Sequence, residues 1–296
     1  MALILITGSK GQLGNELKVI SKKFFGLDFI FTDIDTLDIT NEEKCTEFIR
    51  RKKPDWIINC AAYNFVDKAE NDFQNALLVN GTSVKNISLA IKDSLTRLIH
   101  ISSDYVFDGT ANSPYRENAV PNPLSAYGRS KLEGEKNAML HYGSIVVRTS
   151  WLYSSFGNNF VKTIIRLAKE KDILQVVNDQ TGSPTYAADL AQAIMHIVTG
   201  VLLNQMAFNT GIYHYSNEGE CNWYDFAVAI IEEAGLTCQV QPILSKDFPS
   251  AATRPAYSVM NKSKIKDNFN LTIPHWKESL KKCIHKINNS PDYVVN

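Results

Sequence analysis

Cysteine is sparse and forms no recognisable pattern. Cys45, Cys60, Cys221, Cys238 and Cys283 are odd in number, and none belongs to a CxxC pair. No disulfide frame or zinc site is expected, only reduced thiols used for packing. Excess charge of either sign is also missing, since Lys plus Arg and Asp plus Glu each total 31. No global field therefore draws the chain to nucleic acid or to an anionic membrane. No apolar run reaches the ~18 residues of a membrane span. The start, MALILITG, carries no basic segment ahead of its apolar run. Together these absences lead to the expectation of a cytoplasmic protein. Repeats, low-complexity tracts and flexible linkers are lacking too, which favours lobes packed on one another. What is present is ordinary for a globular chain: 296 residues, 44% apolar and 21% charged, enough to shape a deep cleft.

Short β-rich runs alternate with helical patterns. LILIT precedes a helix from about Gln12, FIFTD one from about Asn41, and DWIINCAA one from about Gln74. RLIHISS, a proline-bearing loop, a helix from about Ser125 and the strand SIVVR continue the rhythm. This alternation predicts a parallel sheet, and strands apolar nearly throughout predict helices on both of its faces. The fold class is α/β: a doubly wound parallel Rossmann sheet with a smaller, discontinuous substrate-binding lobe. Beyond Arg148 the pattern loosens into aromatic and polar loops, with helices near Phe160 to Lys171, Ala188 to Val198 and Trp223 to Ala234. The expected division is 1–150 plus about 187–218 for the dinucleotide, and about 151–186 plus 219–296 for the substrate.

The first chemical signal is TGSKGQLG, which places Gly8, Gly11 and Gly14 between the first strand and the first helix. Glycine permits the tight turn and lets backbone approach a pyrophosphate, which the helix N-terminus attracts. Asp33 follows about 20 residues later, where an acid accepts the ribose hydroxyls of NAD. Asp35 and Asp38 crowd the same stretch, and an acid there serves equally well to cap a loop, so the carboxylate at the ribose stays open. No Arg lies between Asp33 and Asn41 to hold a 2′-phosphate, which mildly favours NADH over NADPH; Lys10 in the glycine turn weakens that preference.

The second signal is Tyr127-Gly128-Arg129-Ser130-Lys131, whose four-residue spacing stacks phenol and ammonium on one helix face. A cation beside a phenol lowers its pKa and makes proton donation to a nascent alkoxide feasible. The third is Ser102-Ser103-Asp104-Tyr105 at the carboxyl end of the fourth strand, the edge where doubly wound sheets bind ligands. Ser103 is the preferred catalytic hydroxyl, placed to polarise a carbonyl.

TGSKGQLG, NCAAY, ISSDYVFDG and YGRSK together resemble the extended short-chain dehydrogenase/reductase family. VDKAE, RTSWLY, GNNFVKT, NDQTGSPTY, WYDFA and TRPAYSVMN narrow the resemblance to the dTDP-4-dehydrorhamnose reductases, over nearly the whole chain. That resemblance implies hydride delivery from NADH or NADPH to C4 of dTDP-4-dehydro-6-deoxy-L-mannose, giving dTDP-L-rhamnose for cell-surface polysaccharide. Tyr127 would protonate the C4 oxygen, Lys131 would hold the nicotinamide ribose, and Ser103 would polarise the carbonyl. It further implies Gly11, Gln12 and Leu13 at the pyrophosphate, Asp38 and Ile39 at the adenine, and Ala62 and Tyr63 on the cofactor wall. Asp104 and Trp151 would meet the sugar nucleotide, although Trp151 fits lobe-interface core as well. Arg254 suits a diphosphate contact, or equally a surface ion pair. No metal ligand set is assigned, and monomer and homodimer both stay open.

Related nucleotide-sugar dehydratases place an acid directly after the Ser/Thr-Asp pair, whereas this chain has Tyr105. Simple reduction is favoured over elimination on that ground. Reduction or epimerisation of another nucleotide-linked 4-keto deoxysugar, and a silent dinucleotide-binding regulatory subunit, are the alternatives.

Overall fold

Strands that are apolar on both faces need cover on both, and this chain supplies it by alternating them with helices. The computed structural model describes residues 1–289. Its first part runs β1 (Ala2–Thr7), α1 (Gln12–Ser21), β2 (Leu27–Phe31), α2 (Glu42–Lys52), β3 (Trp56–Asn59), α3 (Val66–Ala69), α4 (Phe73–Leu77), α5 (Ser83–Ile91), β4 (Arg97–Ser103), α6 (Ala126–Ala138) and β5 (Ser144–Thr149). There follow β6 (Leu152–Tyr153), α7 (Phe160–Glu170), β7 (Ile173–Val177), β8 (Thr181–Gly182), β9 (Thr185–Tyr186), α8 (Ala187–Leu202), β10 (Gly211–His214), β11 (Cys221–Asn222), α9 (Trp223–Glu233), β12 (Gln239–Ile243), α10 (Ser263–Phe269) and α11 (Trp276–Asn288). Residues 290–296, expected in the substrate lobe, lie outside the described residues.

The main sheet has the order β10-β5-β4-β3-β1-β2, and every pairing in it is parallel. The chain steps one way from β1 to β2 and the other way from β1 to β3. The reversal opens a crevice at the carboxyl ends of β1 and β3, the switch point of a doubly wound sheet. One face of the sheet buries Ile4, Ile6 and Ile58 against Leu17 of α1 and Leu190, Ile194 and Val198 of α8. The other buries Leu5, Ile57 and Leu98 against Ile49, Val84 and Ile87. A separate apolar cluster of Tyr153, Ile164, Phe226, Trp276 and Leu280 forms the core of the smaller lobe.

Two elements differ from expectation. FIFTD stops being a strand at Phe31; Thr32 bonds to the Ile6 carbonyl and Asp33 stands in the following loop. The helix expected from Gln74 is interrupted by a π-type turn over Leu78–Thr82 between α4 and α5. There the buried Asn80 side chain accepts from the Tyr63 N–H and donates to Ser130 Oγ on α6. Such bulges commonly appear where a helix must aim a side chain at a site. Gly134 completes the fit, since a Cβ there would lie 2.2 Å from the Asn80 carbonyl oxygen.

Candidate active site

A cleft of about 640 Å³ opens at the carboxyl edge of the sheet, with Gly11 to Gly14 on one side and Ser103, Asp104, Tyr127 and Lys131 on the other. The three glycines divide the work. Gly8 has φ +66°, and a Cβ on it would lie 2.5 Å from the Ala61 nitrogen. A Cβ on Gly14 would lie 2.4 Å from the Gly8 carbonyl oxygen. These two hold the turn together. Gly11 faces the cleft with only the Gly8 carbonyl nearby, at 3.3 Å. It also caps α1 without any side-chain hydrogen bond, leaving the first N–H groups and the positive end of the helix dipole to a ligand. This turn fits a dinucleotide pyrophosphate.

The carboxylates after β2 are all engaged within the protein. Asp33 Oδ2 accepts from the Lys10 N–H at 2.8 Å and Oδ1 from the Ile34 N–H at 2.9 Å. Asp35 pairs with Lys10 Nζ at 2.8 Å. Asp38 Oδ1 accepts from the Thr40 N–H and Oγ1. Ile39 is buried, and its carbonyl accepts from Asn86 Nδ2. Asp33, Asp38 and Ile39 stand outside the cleft lining, which Ala62 joins and Tyr63 does not. The Tyr63 hydroxyl instead donates to Asp72 Oδ2 at 2.9 Å.

Tyr127 and Lys131 sit in the first two turns of α6, which Ser125 caps by accepting from the Gly128 N–H. Gly128 is the reason α6 can lie so close to the strand end: a Cβ on it would meet the Tyr105 carbonyl oxygen at 2.2 Å. The lysine ammonium donates to the Ile101 carbonyl at 2.7 Å. Burial lowers its pKa to about 8, against the opposing charge of Glu135. The expected lowering of the phenol is not found. Burial pushes Tyr127 above its ordinary value, although the Ser103 hydroxyl pulls it down. Lys131 gives one of its three N–H groups to a carbonyl, and the phenol stays protonated and ready to donate. Asp104 is buried and its carboxyl rises to about 6, mainly by desolvation. Tyr105 packs edge-on against Tyr127, ring centroids 5.4 Å apart.

Trp151 adopts φ +47°, a conformation that costs a non-glycine residue energy and gathers at functional sites. Its ring stacks on Trp223 of α9 at 3.6 Å between centroids and 10° between planes, and both line the cleft. Sequence reasoning placed Trp223 only at a helix start; the WYDFA run was the available signal. Asn159, at the cleft mouth, donates to Gln12 Oε1 at 3.0 Å and so bridges the glycine turn to the smaller lobe. Arg254 stands outside the lining and forks onto Asp67, at 2.6 Å and 3.2 Å. Of its two expected roles, the ion pair is the one this structure contains. Among the described residues no cluster of His, Cys, Asp or Glu could hold a metal ion. No described helix is long and apolar enough to cross a membrane.

Fold and site together define an oxidoreductase of the extended short-chain dehydrogenase/reductase class. A family model described as RmlD substrate binding domain matches residues 1–289. The chain belongs to the dTDP-4-dehydrorhamnose reductase family. It is 40% identical to the dTDP-4-dehydrorhamnose reductase of Aggregatibacter actinomycetemcomitans, across 95% of this chain and 98% of that one. It is 36% identical to the spore coat polysaccharide biosynthesis protein SpsK of Bacillus subtilis, across 99% and 100%. Among solved structures, a dTDP-4-dehydrorhamnose reductase from Clostridium acetobutylicum superposes with TM-score 0.91 at 41% identity, covering 97% of this chain and 99% of that one. The Bacillus anthracis enzyme in complex with NADP gives 0.90 at 38%, covering 97% and 100%.

Proposed function

We propose that the chain reduces the C4 keto group of dTDP-4-dehydro-6-deoxy-L-mannose to dTDP-L-rhamnose, using NADH or NADPH, in the synthesis of cell-surface polysaccharide. One observation carries this reading: a buried, protonated Tyr127, with Lys131 and Ser103, shares a cleft with an uncapped helix N-terminus. Gly11, Gln12 and Leu13 would hold the pyrophosphate, and Ala62 would flank the cofactor. The cofactor supplies a hydride to C4 when bound. Tyr127 donates its proton to the C4 oxygen, so carbonyl plus hydride plus proton gives the alcohol. Lys131 would hold the nicotinamide ribose with the N–H groups not bonded to the Ile101 carbonyl, and its charge would support the phenolate left behind. Ser103 polarises the carbonyl, and Asp104 and the Trp151–Trp223 stack hold the sugar nucleotide. Arg254, beside Tyr105 of the cleft lining, would contact the diphosphate.

Tyr105, at the position where a dehydratase keeps its acid, favours reduction without elimination. The NADP complex of the Bacillus anthracis relative supports NADPH as one usable donor. The reading assigns 1–150 with about 187–218 to the cofactor and the rest to the substrate. It places the enzyme in the cytoplasm, as monomer or homodimer. The test is loss of nicotinamide absorbance with NADH and NADPH against a panel of nucleotide-linked 4-keto sugars. Turnover with the dTDP-4-keto-6-deoxy sugar is expected. Cofactor binding with no turnover on any of them would overturn the reading in favour of a silent subunit.

A further inference from the structure

Ser103 has a single proton to give, and its surroundings decide where that proton points. Its Oγ donates to Asp104 Oδ1 at 3.0 Å and accepts from the Tyr105 N–H at 3.2 Å. A hydroxyl offers one donor and two acceptor positions, and the one proton of Ser103 is taken by Asp104. In this arrangement Ser103 has nothing to offer a carbonyl. The hydroxyl that should point at the substrate oxygen is committed to the protein.

Turning that bond around frees it. A neutral Asp104 donates to Ser103 Oγ, and the Ser103 O–H is released toward the cleft. Asp104 is built for that change. It is 1% exposed, lines the cleft, and its Oδ2 has no hydrogen-bond partner. The side chains facing it are the hydroxyls of Ser103 and Ser258 and the phenols of Tyr105 and Tyr127. The two serines favour the ionised form and desolvation opposes it. A dinucleotide in the cleft adds negative charge and excludes water, and both act with desolvation.

We infer that Asp104 is a positioning residue that sets the direction of the Ser103 hydroxyl: ionised, it turns that proton away from the substrate, and protonated, it frees it to polarise the carbonyl. The inference rests on the polarising role proposed above for Ser103. No bond to carbon is involved, and the Asp104 proton stays on Asp104 throughout turnover.

The experiment compares pH profiles of kcat and KM for wild type, Asp104→Asn, Ser258→Ala and Ser103→Ala. Alongside it, the protonated-carboxyl infrared band is titrated in the cofactor-free protein. An Asn at 104 donates to Ser103 at every pH. Wild-type kcat is expected to fall about tenfold per pH unit above its inflection, while Asp104→Asn stays flat over that range. Ser258→Ala removes a facing hydroxyl that favours the ionised carboxylate, so its kinetic inflection and its infrared titration both move to higher pH. Asp104→Asn that keeps the wild-type fall in kcat and only raises KM would mark Asp104 as a plain substrate contact and overturn the inference. If Asp104→Asn does not fold, Ser258→Ala decides: a shifted infrared titration with an unshifted kinetic limb overturns it. Ser103→Ala with full activity would remove the polarising role itself. An impaired Ser103→Ala beside an unmoved limb sinks only the role of Asp104.

Discussion

Glu135 accepts two parallel bonds from the Arg148 guanidinium, Nε to Oε1 at 2.8 Å and Nη2 to Oε2 at 2.7 Å, and neither side chain reaches solvent. Ser102 Oγ adds a third bond to Oε1 at 2.6 Å. Glu135 lies four residues beyond Lys131, on the same face of α6. The fork therefore ties the helix that carries Tyr127 and Lys131 to β4 and β5. Its charge also supports the Lys131 ammonium against burial. Arg148→Ala leaves a carboxylate buried and unpaired, which costs about 3–5 kcal/mol. Urea denaturation is the measurement, and an unchanged midpoint would show that the fork does not hold α6 in place.

The glycines of the turn should separate by experiment. Gly8→Ala meets both a positive φ and the Ala61 nitrogen, and Gly14→Ala meets the Gly8 carbonyl. Each is expected to cost at least about 2 kcal/mol of stability. Gly11→Ala has an ordinary φ and only a close contact with the Gly8 carbonyl oxygen, at 3.3 Å, so its stability should fall less, by about 1 kcal/mol. Its new methyl faces the cleft, and NADPH affinity measured by fluorescence should fall about tenfold or more. Equal loss of stability in all three would contradict this division.

Much of this was legible in the sequence because the signals were local. Unbroken apolar strands encoded the covered sheet, and Tyr127 with Lys131 needed only helical spacing to share a face. The distant partners were not legible. Trp223 reaches Trp151 through the fold of the smaller lobe, and nothing in either neighbourhood states that pairing. The Arg254–Asp67 fork joins the C-terminal part of the chain to α3. Spacing along the chain likewise does not reveal that the Lys10 N–H bonds to Asp33. The phenol pKa was misjudged for a related reason: helix spacing put the ammonium nearby, but its bond to the Ile101 carbonyl and the burial of Tyr127 depend on β4.

Asp67 is held well below the usual carboxylate range, chiefly by Arg254. A group depressed in the folded state stabilises it above its unfolded pKa, and that contribution fades as pH falls through the folded value. The side chains are 47% and 23% exposed, so solvent screens the pair to about 1 kcal/mol. Asp67→Asn should lower the melting temperature by a few degrees at pH ~7, and the difference from wild type should shrink once pH drops below about 4. A difference that grows on acidification would contradict the sign.

Tyr127→Phe removes the proton donor and leaves the ring packed against Tyr105. Loss of a positioned acid costs about 10²–10⁴ in kcat. NADPH binding should persist, because Lys131 and the glycine turn are untouched. Single-turnover kinetics with the dTDP-4-keto sugar would check it, and wild-type rates in this variant would end the mechanism.

Trp151 was readable as ligand contact or as lobe-interface core, and its stack on Trp223 makes the two separable. An aromatic pair contributes about 0.5–1.5 kcal/mol beyond its buried area. Trp223→Ala takes that from the smaller lobe and leaves Ser103, Tyr127 and Lys131 alone. If the stack serves only packing, the variant melts earlier with KM unchanged. The left-handed backbone at Trp151 argues for more, since such a conformation persists where surroundings enforce it for a use. KM for the nucleotide sugar is therefore expected to rise about tenfold in Trp223→Ala, with NADPH affinity unchanged, because the supporting ring no longer holds Trp151 flat against the cleft. Steady-state kinetics and a melting curve on one preparation would divide the two effects.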